Sequence, residues 1–85
     1  MLLKITKAEY VGDYRLKVTF NTGEIRVVDM ESTVMNDQRA IFQSLRDKAF
    51  FKRFTVDFNT VVWENQLDIA PEYLYEKGVA VNKAA

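Results

Sequence analysis

The sequence contains neither cysteine nor histidine, and these two absences exclude much of the chemistry that small domains perform. Without cysteine, the chain can form neither a disulfide nor a thiolate metal site, and no oxidising compartment is implied. Without histidine, it lacks the base of a Ser-His-Asp triad or a Cys-His pair and the usual nitrogen ligand of zinc. No side chain titrates near neutral pH at its unperturbed pKa, so we predict no catalytic residue, metal site or cofactor.

Glycine and proline are scarce as well, with three glycines and one proline. No glycine-rich loop precedes a predicted helix, which excludes the phosphate-binding loops of nucleotide-binding folds. No segment rich in proline, glycine or serine divides the 85 residues. This length suits one domain, which we predict at residues 1–79, followed by a flexible tail at 80–85.

Long apolar runs are missing, because none approaches the roughly 18 residues that a membrane-spanning helix requires. Lys4 and Lys7 interrupt the apolar start of the chain before the core of a signal peptide could form. These features favour a cytoplasmic protein without membrane contact. The hydrophobic content of 48% nevertheless predicts a folded core rather than a disordered chain.

Alternating apolar residues in the first third of the chain predict a three-stranded antiparallel meander. The predicted strands span residues 3–10, 14–20 and 24–29. Leu16, Val18 and Phe20 alternate with polar residues, which is the period of a half-buried strand. Gly12 begins the first turn, and Gly23 can take the positive φ of a three-residue hairpin loop at 21–23.

A helical insert, a second hairpin and a closing helix are predicted to follow. Asn36 or Asp37 is expected to cap a helix that begins near Arg39, and Asp47 a short helical turn. The predicted elements are this helix, with Ile41, Phe42, Leu45 and Ala49 at helical spacing, a helical turn at 48–53, a strand at 54–58, a turn at Asn59-Thr60, a strand at 61–63 and a helix at 71–77. The pattern predicts an α+β domain with an antiparallel sheet of about five strands and a short C-terminal helix.

The net charge is zero, yet the two signs lie in adjacent segments. Residues 57–76 carry five acidic residues and no basic residue. Residues 39–56 carry one acidic residue and five basic ones, which form a candidate basic face of Arg39, Arg46, Lys48, Lys52 and Arg53. The two segments can pair within one chain or between chains. Phenylalanines interleaved with these basic residues can stack on bases, which makes the basic face a candidate for nucleic-acid binding. It is a weak candidate, because the same rings fall at core positions and the net charge is neutral.

Three carboxylates, Asp57, Glu64 and Asp68, lie close in sequence across the second predicted hairpin. A carboxylate pair can hydrolyse a glycosidic bond, and one or two carboxylates can hold magnesium. A carboxylate-based or metal-dependent hydrolase is therefore an alternative. A domain of this size has little room for a deep cleft, and such carboxylates more commonly cap turns and face solvent.

The segment 63–75 concentrates aromatic and acidic side chains around a turn and a helix start. As a rigid corner, it would place the Trp63 ring in the core and turn the chain at Asn65-Gln66, and Asp68 would accept backbone N–H groups or the indole N–H. As a contact surface, it would use aromatic anchors among acids. The candidate interaction residues are Trp63, Glu64, Asp68, Glu72, Tyr73 and Tyr75.

The same segment carries a family resemblance. Its run W-E-N-x-x-D-I-A-P-E-x-L-Y resembles the ending of a family of small bacterial domains of unknown function, the one numbered twenty-four forty-two. The strand and turn at 16–24, Asp29 and the F-x-x-F-x-V-D stretch at 51–57 resemble that family too. Gln66 stands where many members have glycine, so the turn after Asn65 must accommodate a side chain that glycine lacks.

The family has no established activity, so the resemblance transfers no catalytic residue. Some members resemble the N-terminal half of helix-turn-helix proteins, and others resemble one member of a toxin–antitoxin pair encoded by neighbouring genes. By association, this implies a protein-interaction or regulatory module rather than an enzyme, either an antitoxin-like partner or a regulator-associated domain. The expected partner is another small protein, and exposed strand edges are compatible with a homo-oligomer.

Overall fold

A computed structural model describes residues 2–81 of the chain. The strands are β1 (Ile5–Tyr10), β2 (Arg15–Phe20), β3 (Ile25–Asp29), β4 (Thr55–Asp57), β5 (Thr60–Val62), β6 (Asp68–Ile69) and β7 (Val79–Ala80). The helices are α1 (Glu31–Asn36), α2 (Ala40–Gln43), α3 (Lys48–Phe51) and α4 (Pro71–Lys77), with a 3₁₀ turn at Ser44–Arg46 between α2 and α3. None of the helices described here is long and apolar enough to cross a membrane.

The strands form two antiparallel sheets, one in the order β1-β2-β3-β7 and one in the order β4-β5-β6. This arrangement confirms the predicted α+β class, the meander, the helical insert, the second hairpin and the closing helix. The pattern missed β6 and β7 because strands of two residues are too short to display a period. A backbone hydrogen bond of 2.8 Å from the Ile5 N–H to the Asn59 carbonyl links the two sheets.

The helical insert differs from the prediction at its start. The sequence pattern places no helix at 31–36, yet α1 forms there with Val34 buried. Arg46 stabilises the end of α1, because its guanidinium donates to the carbonyls of Val34, Met35 and Asp37. The predicted cap of the next helix was wrong, since α2 follows Arg39 with no side-chain capping bond.

Two other local predictions had different outcomes. Asp47 does cap α3, and its carboxylate accepts the Ala49 N–H at 3.0 Å. The turn predicted at Asn59-Thr60 was wrong by one residue. Phe58 and Asn59 form it with positive φ values of 50° and 65°, and Thr60 is already the first residue of β5.

The core is one cluster of buried side chains to which both sheets and all four helices contribute. Its centre is the ring of Phe51, which has no exposed surface. The rings of Tyr10, Tyr14 and Trp63 contact it with centroid separations of 5.8, 5.3 and 5.5 Å. The indole N–H of Trp63 also donates to the Phe51 carbonyl at 2.6 Å. These contacts join the meander, α3 and the end of β5.

Arg26 of β3 connects the C-terminal end of α4 to the larger sheet. Its guanidinium donates to the carbonyls of Tyr75 and Gly78 at 3.1 and 3.0 Å, and it lies 3.8 Å from the centre of the Tyr75 ring. Beyond the predicted domain boundary at residue 79, Ala80 pairs with Arg26 and the Val81 N–H donates to Ile25. The remainder of the predicted tail, 82–85, lies outside the described residues.

Two three-residue hairpin loops, 21–23 and 64–66, share one geometry. In each, the residue before the loop donates its N–H to the carbonyl of the residue after the loop. The N–H of the third loop residue donates to the carbonyl of the residue before the loop, and all of these bonds are 2.9 Å long. That third residue is Gly23 in the first loop, with φ 89°, and Gln66 in the second, with φ 69°. Gln66 therefore occupies a left-handed position that glycine adopts without steric cost.

Replacing Gln66 by glycine is expected to raise the free energy of unfolding by about 0.5–1 kcal/mol, because relief of the left-handed strain outweighs the entropy of glycine. Gly23→Ala, at the equivalent position, is expected to lower it by about 1 kcal/mol. Urea denaturation of both variants measures the two changes. A Gln66→Gly variant less stable than the wild type would contradict the strain at this loop.

Trp63→Phe is expected to lower the free energy of unfolding by about 2–4 kcal/mol, since it leaves a void in the core and removes the donor to the Phe51 carbonyl. Urea denaturation followed by circular dichroism measures the change without tryptophan fluorescence. As a control, Tyr10→Phe keeps its ring against Phe51 and is expected to cost less than about 0.5 kcal/mol. Equal losses in the two variants would refute the importance of the indole.

Candidate functional site

A groove of about 350 Å³ lies between the helical insert and the corner at which β6 leads into α4. We call it the corner groove; its lining residues are Thr33, Asp37, Arg39, Phe42, Leu67, Asp68, Ile69, Ala70 and Tyr73. The volume is within the range of small ligand pockets. Apolar side chains from α2 and β6 lie beside charged and hydroxyl groups in the same groove.

Asn65 holds the two sides of the corner groove together. Its side-chain N–H donates to the Ile41 carbonyl of α2 at 2.9 Å, and its side-chain oxygen accepts the Leu67 N–H at 3.2 Å. One amide thus ties the 64–66 loop to α2 and fixes the chain just before β6. On the other side, the hydroxyls of Thr33 and Tyr73 are 2.8 Å apart and connect α1 to α4.

The Asp37–Arg39 ion pair forms one charged part of the groove. The Arg39 Nε and Nη2 donate to the two carboxylate oxygens of Asp37 at 3.0 and 2.8 Å, and the Arg39 N–H donates to the same carboxylate. These hydrogen bonds, above all those from the Arg39 side chain, lower the pKa of Asp37 to about 2. The Arg39 guanidinium also lies 4.8 Å from the centre of the Phe42 ring.

Asp68 differs from Asp37, because its exposed carboxylate forms no ion pair with any residue between 2 and 81. Its backbone pairs with Val62 of β5, which fixes its place beside the groove. Asp37 is already neutralised by Arg39. The charge that the corner groove offers to a ligand is therefore the negative charge of Asp68.

The candidate interaction residues have separate locations. Asp68 and Tyr73 line the corner groove, and Glu72 is exposed in the first turn of α4. Trp63 lies in the core with 2% of its surface exposed, and its indole bonds to Phe51 rather than to Asp68. The other two candidates have partners within the fold. The Tyr75 hydroxyl donates to Glu24 at 3.0 Å, and Glu64 pairs with Arg53 at 3.7 Å.

The five candidate basic residues have diverse contacts. Arg39 lies in the corner groove, and Arg46 binds the last carbonyls of α1. Lys48 lies 3.4 Å from Asp13, whose hydrogen bond raises the pKa of the ammonium. Arg53 pairs with Glu64, which joins the basic and acidic segments within one chain. Lys52, the fifth, is exposed next to Arg53.

The three carboxylates of the hydrolase alternative are also dispersed. Asp57 of β4 pairs with Thr60, whereas Asp68 of β6 pairs with Val62. Strand geometry places β5 between the two aspartates, with roughly 12 Å between their Cα atoms. Glu64 is held by Arg53. Within residues 2–81, no group of three or more acidic side chains is arranged to hold a metal ion.

Several groove residues carry no functional signal in the sequence. Phe42 falls at a core position of the predicted helix, and Thr33 lies in a helix that the pattern does not predict. The sequence pattern predicts Asn36 or Asp37 as a helix cap and gives Asp37 no other role. Leu67 lies within the aromatic and acidic segment, but nothing in its spacing indicates that it lines a groove with α2. The groove depends on contacts between residues about 25–40 positions apart, which local patterns do not contain.

Acid is expected to weaken the protein through Asp37. Because the folded-state pKa of about 2 lies below the ordinary 3.8, this contribution to stability is complete above pH 3.8 and is lost as the pH falls through about 2. Asp37→Asn and Arg39→Gln should each reduce the pH dependence of the urea midpoint between pH 4 and 2. A midpoint that falls as steeply in both variants as in the wild type would exclude the ion pair as the cause.

Comparison with known proteins supports the resemblance carried by the C-terminal run. The family model described as "Protein of unknown function (DUF2442)" matches residues 5–80. No curated protein and no solved structure matches the chain. The matched range extends from the first residue of β1 to the last residue of β7. The chain therefore belongs to the DUF2442 family.

Proposed function

We propose that the protein is an interaction module that binds a segment of a partner protein in the corner groove. The observation that carries the proposal is Asp68, an unpaired carboxylate among the described residues, placed beside apolar side chains. A partner segment can place a basic side chain on Asp68 and an apolar side chain against the partly exposed Leu67. Such a contact combines apolar burial with a charge pair that sets the register.

Binding is favoured over catalysis by the side chains available. The sequence supplies no histidine or cysteine, and the titratable groups of the groove are the Asp37–Arg39 pair, Asp68 and Tyr73. An ion pair and a single free carboxylate suit recognition of a cation better than they suit a two-carboxylate reaction. In the proposed role, the module is one member of a pair of small proteins, as an antitoxin-like partner or a regulator-associated domain.

Selection of a random peptide library against the immobilised protein tests the proposal. We expect the selected peptides to share a basic residue next to an apolar one. Asp68→Asn should weaken their binding by about 5–10-fold, corresponding to roughly 1–1.4 kcal/mol. Glu76→Gln removes an exposed carboxylate from the other end of α4 and serves as the matched control, with an expected change of less than about twofold.

Added salt should also weaken binding of the selected peptides, because the contact includes a partly exposed charge pair. Peptides that bind equally well to the wild type and to Asp68→Asn would place the recognition elsewhere. Failure to select any shared sequence would remove the support for an interaction module of this kind.

A further inference from the structure

Phe58 is the most exposed large apolar side chain among the described residues, with 80% of its surface accessible. It forms the turn between β4 and β5 together with Asn59, and both have positive φ. Asparagine tolerates this left-handed conformation, whereas a bulky aromatic residue is an outlier there. The protein therefore keeps an aromatic ring in solvent at a backbone position that disfavours it.

The turn between β1 and β2 offers a direct comparison. There Asp13 and Tyr14 have φ values of 50° and 62°, close to those of Phe58 and Asn59. Tyr14 is only 4% exposed, packs against Phe51 and donates its hydroxyl to the Arg46 carbonyl. Burial compensates for the conformation of Tyr14, but no comparable burial compensates for that of Phe58.

A concave surface of about 450 Å³ lies beside Phe58. We call it the hairpin hollow; its lining residues are Phe58, Val62, Trp63, Gln66 and Asp68. It is mainly apolar and contains no basic side chain. Asp68 lines both the hairpin hollow and the corner groove. The two concave surfaces are therefore adjacent, and the unpaired carboxylate belongs to both.

We infer that the hairpin hollow is the second half of the partner-binding surface and that Phe58 is its aromatic anchor, an inference that rests on the proposed function. The partner segment crosses Asp68 with a basic side chain. It places one apolar side chain in the corner groove and a second against Phe58. Aromatic side chains, phenylalanine included, are enriched in the cores of protein interfaces, where a few buried anchors supply most of the binding energy.

Charge identifies the occupant as a basic segment of a partner protein. Neither Asp57 nor Asp68 forms an ion pair within residues 2–81, and Asp57 only accepts the Phe58 N–H at 2.9 Å. Carboxylates in these positions repel nucleic acids and anionic membranes. A second copy docked through the same surface would bring like charges together across a two-fold axis.

Phe58→Asn tests the inference. Asparagine suits the left-handed turn, so the variant should fold with a urea midpoint equal to or above that of the wild type. Its affinity for the peptides selected against the wild type should nevertheless fall at least tenfold. Val79→Asn removes another exposed apolar side chain, 72% accessible on β7, and should leave the affinity within about twofold. Weaker binding by a more stable variant cannot be attributed to unfolding.

The outcomes separate this inference from the proposed function. If Asp68→Asn weakens binding and Phe58→Asn does not, the hairpin hollow is not used and the inference fails, while the corner groove stands. If Phe58→Asn weakens binding and both Asp68→Asn and Leu67→Ser do not, the proposed function fails at the groove. Light scattering of the free protein completes the test, because a wild-type dimer that Phe58→Asn converts to a monomer would show a second copy in the hollow and overturn the inference.

Discussion

The fold depends on Phe51, which is the point where its separate parts meet. The ring contacts Tyr10 and Tyr14 of the first hairpin and Trp63 at the end of β5, and the carbonyl accepts the Trp63 indole N–H. Strands of two or three residues are too short to hold a sheet by themselves. Contacts between Trp63 and α3 therefore stabilise the small sheet. They also fix the position of the corner that leads from β6 into α4.

Tyr14, Gln66 and Phe58 have the same left-handed backbone conformation in different surroundings. Tyr14 adopts the conformation and is buried, and Gln66 adopts it at a loop where glycine would serve the hydrogen bonding equally well. Phe58 adopts it at 80% exposure. Strain that persists without a compensating contact in the fold motivates the proposal that Phe58 serves a contact outside it. Phe58 lies on the outer surface around β4–β6, away from the buried aromatic residues.

Asp68 connects the structural and functional interpretations of the aromatic and acidic corner. Most of that corner is structural: Trp63 and Tyr75 pack within the fold, and Glu64 pairs with Arg53. Asp68 projects from the same short segment, on a strand held by β5 between two concave apolar surfaces. A rigid corner and a contact surface are therefore compatible, since the buried residues fix the position of the exposed carboxylate.

Local sequence determined the elements whose signals lie within a few residues of one another. The alternation at Leu16 to Phe20 specified β2, and Pro71 and Gly78 bounded α4, because period and capping act over neighbouring positions. The lack of histidine and cysteine likewise limited the available chemistry. Only the tertiary structure decided the presence of α1, β6 and β7, the burial of Trp63 and the placement of Asp68 and Phe42 along one groove, because contacts with residues distant in sequence determine each of them.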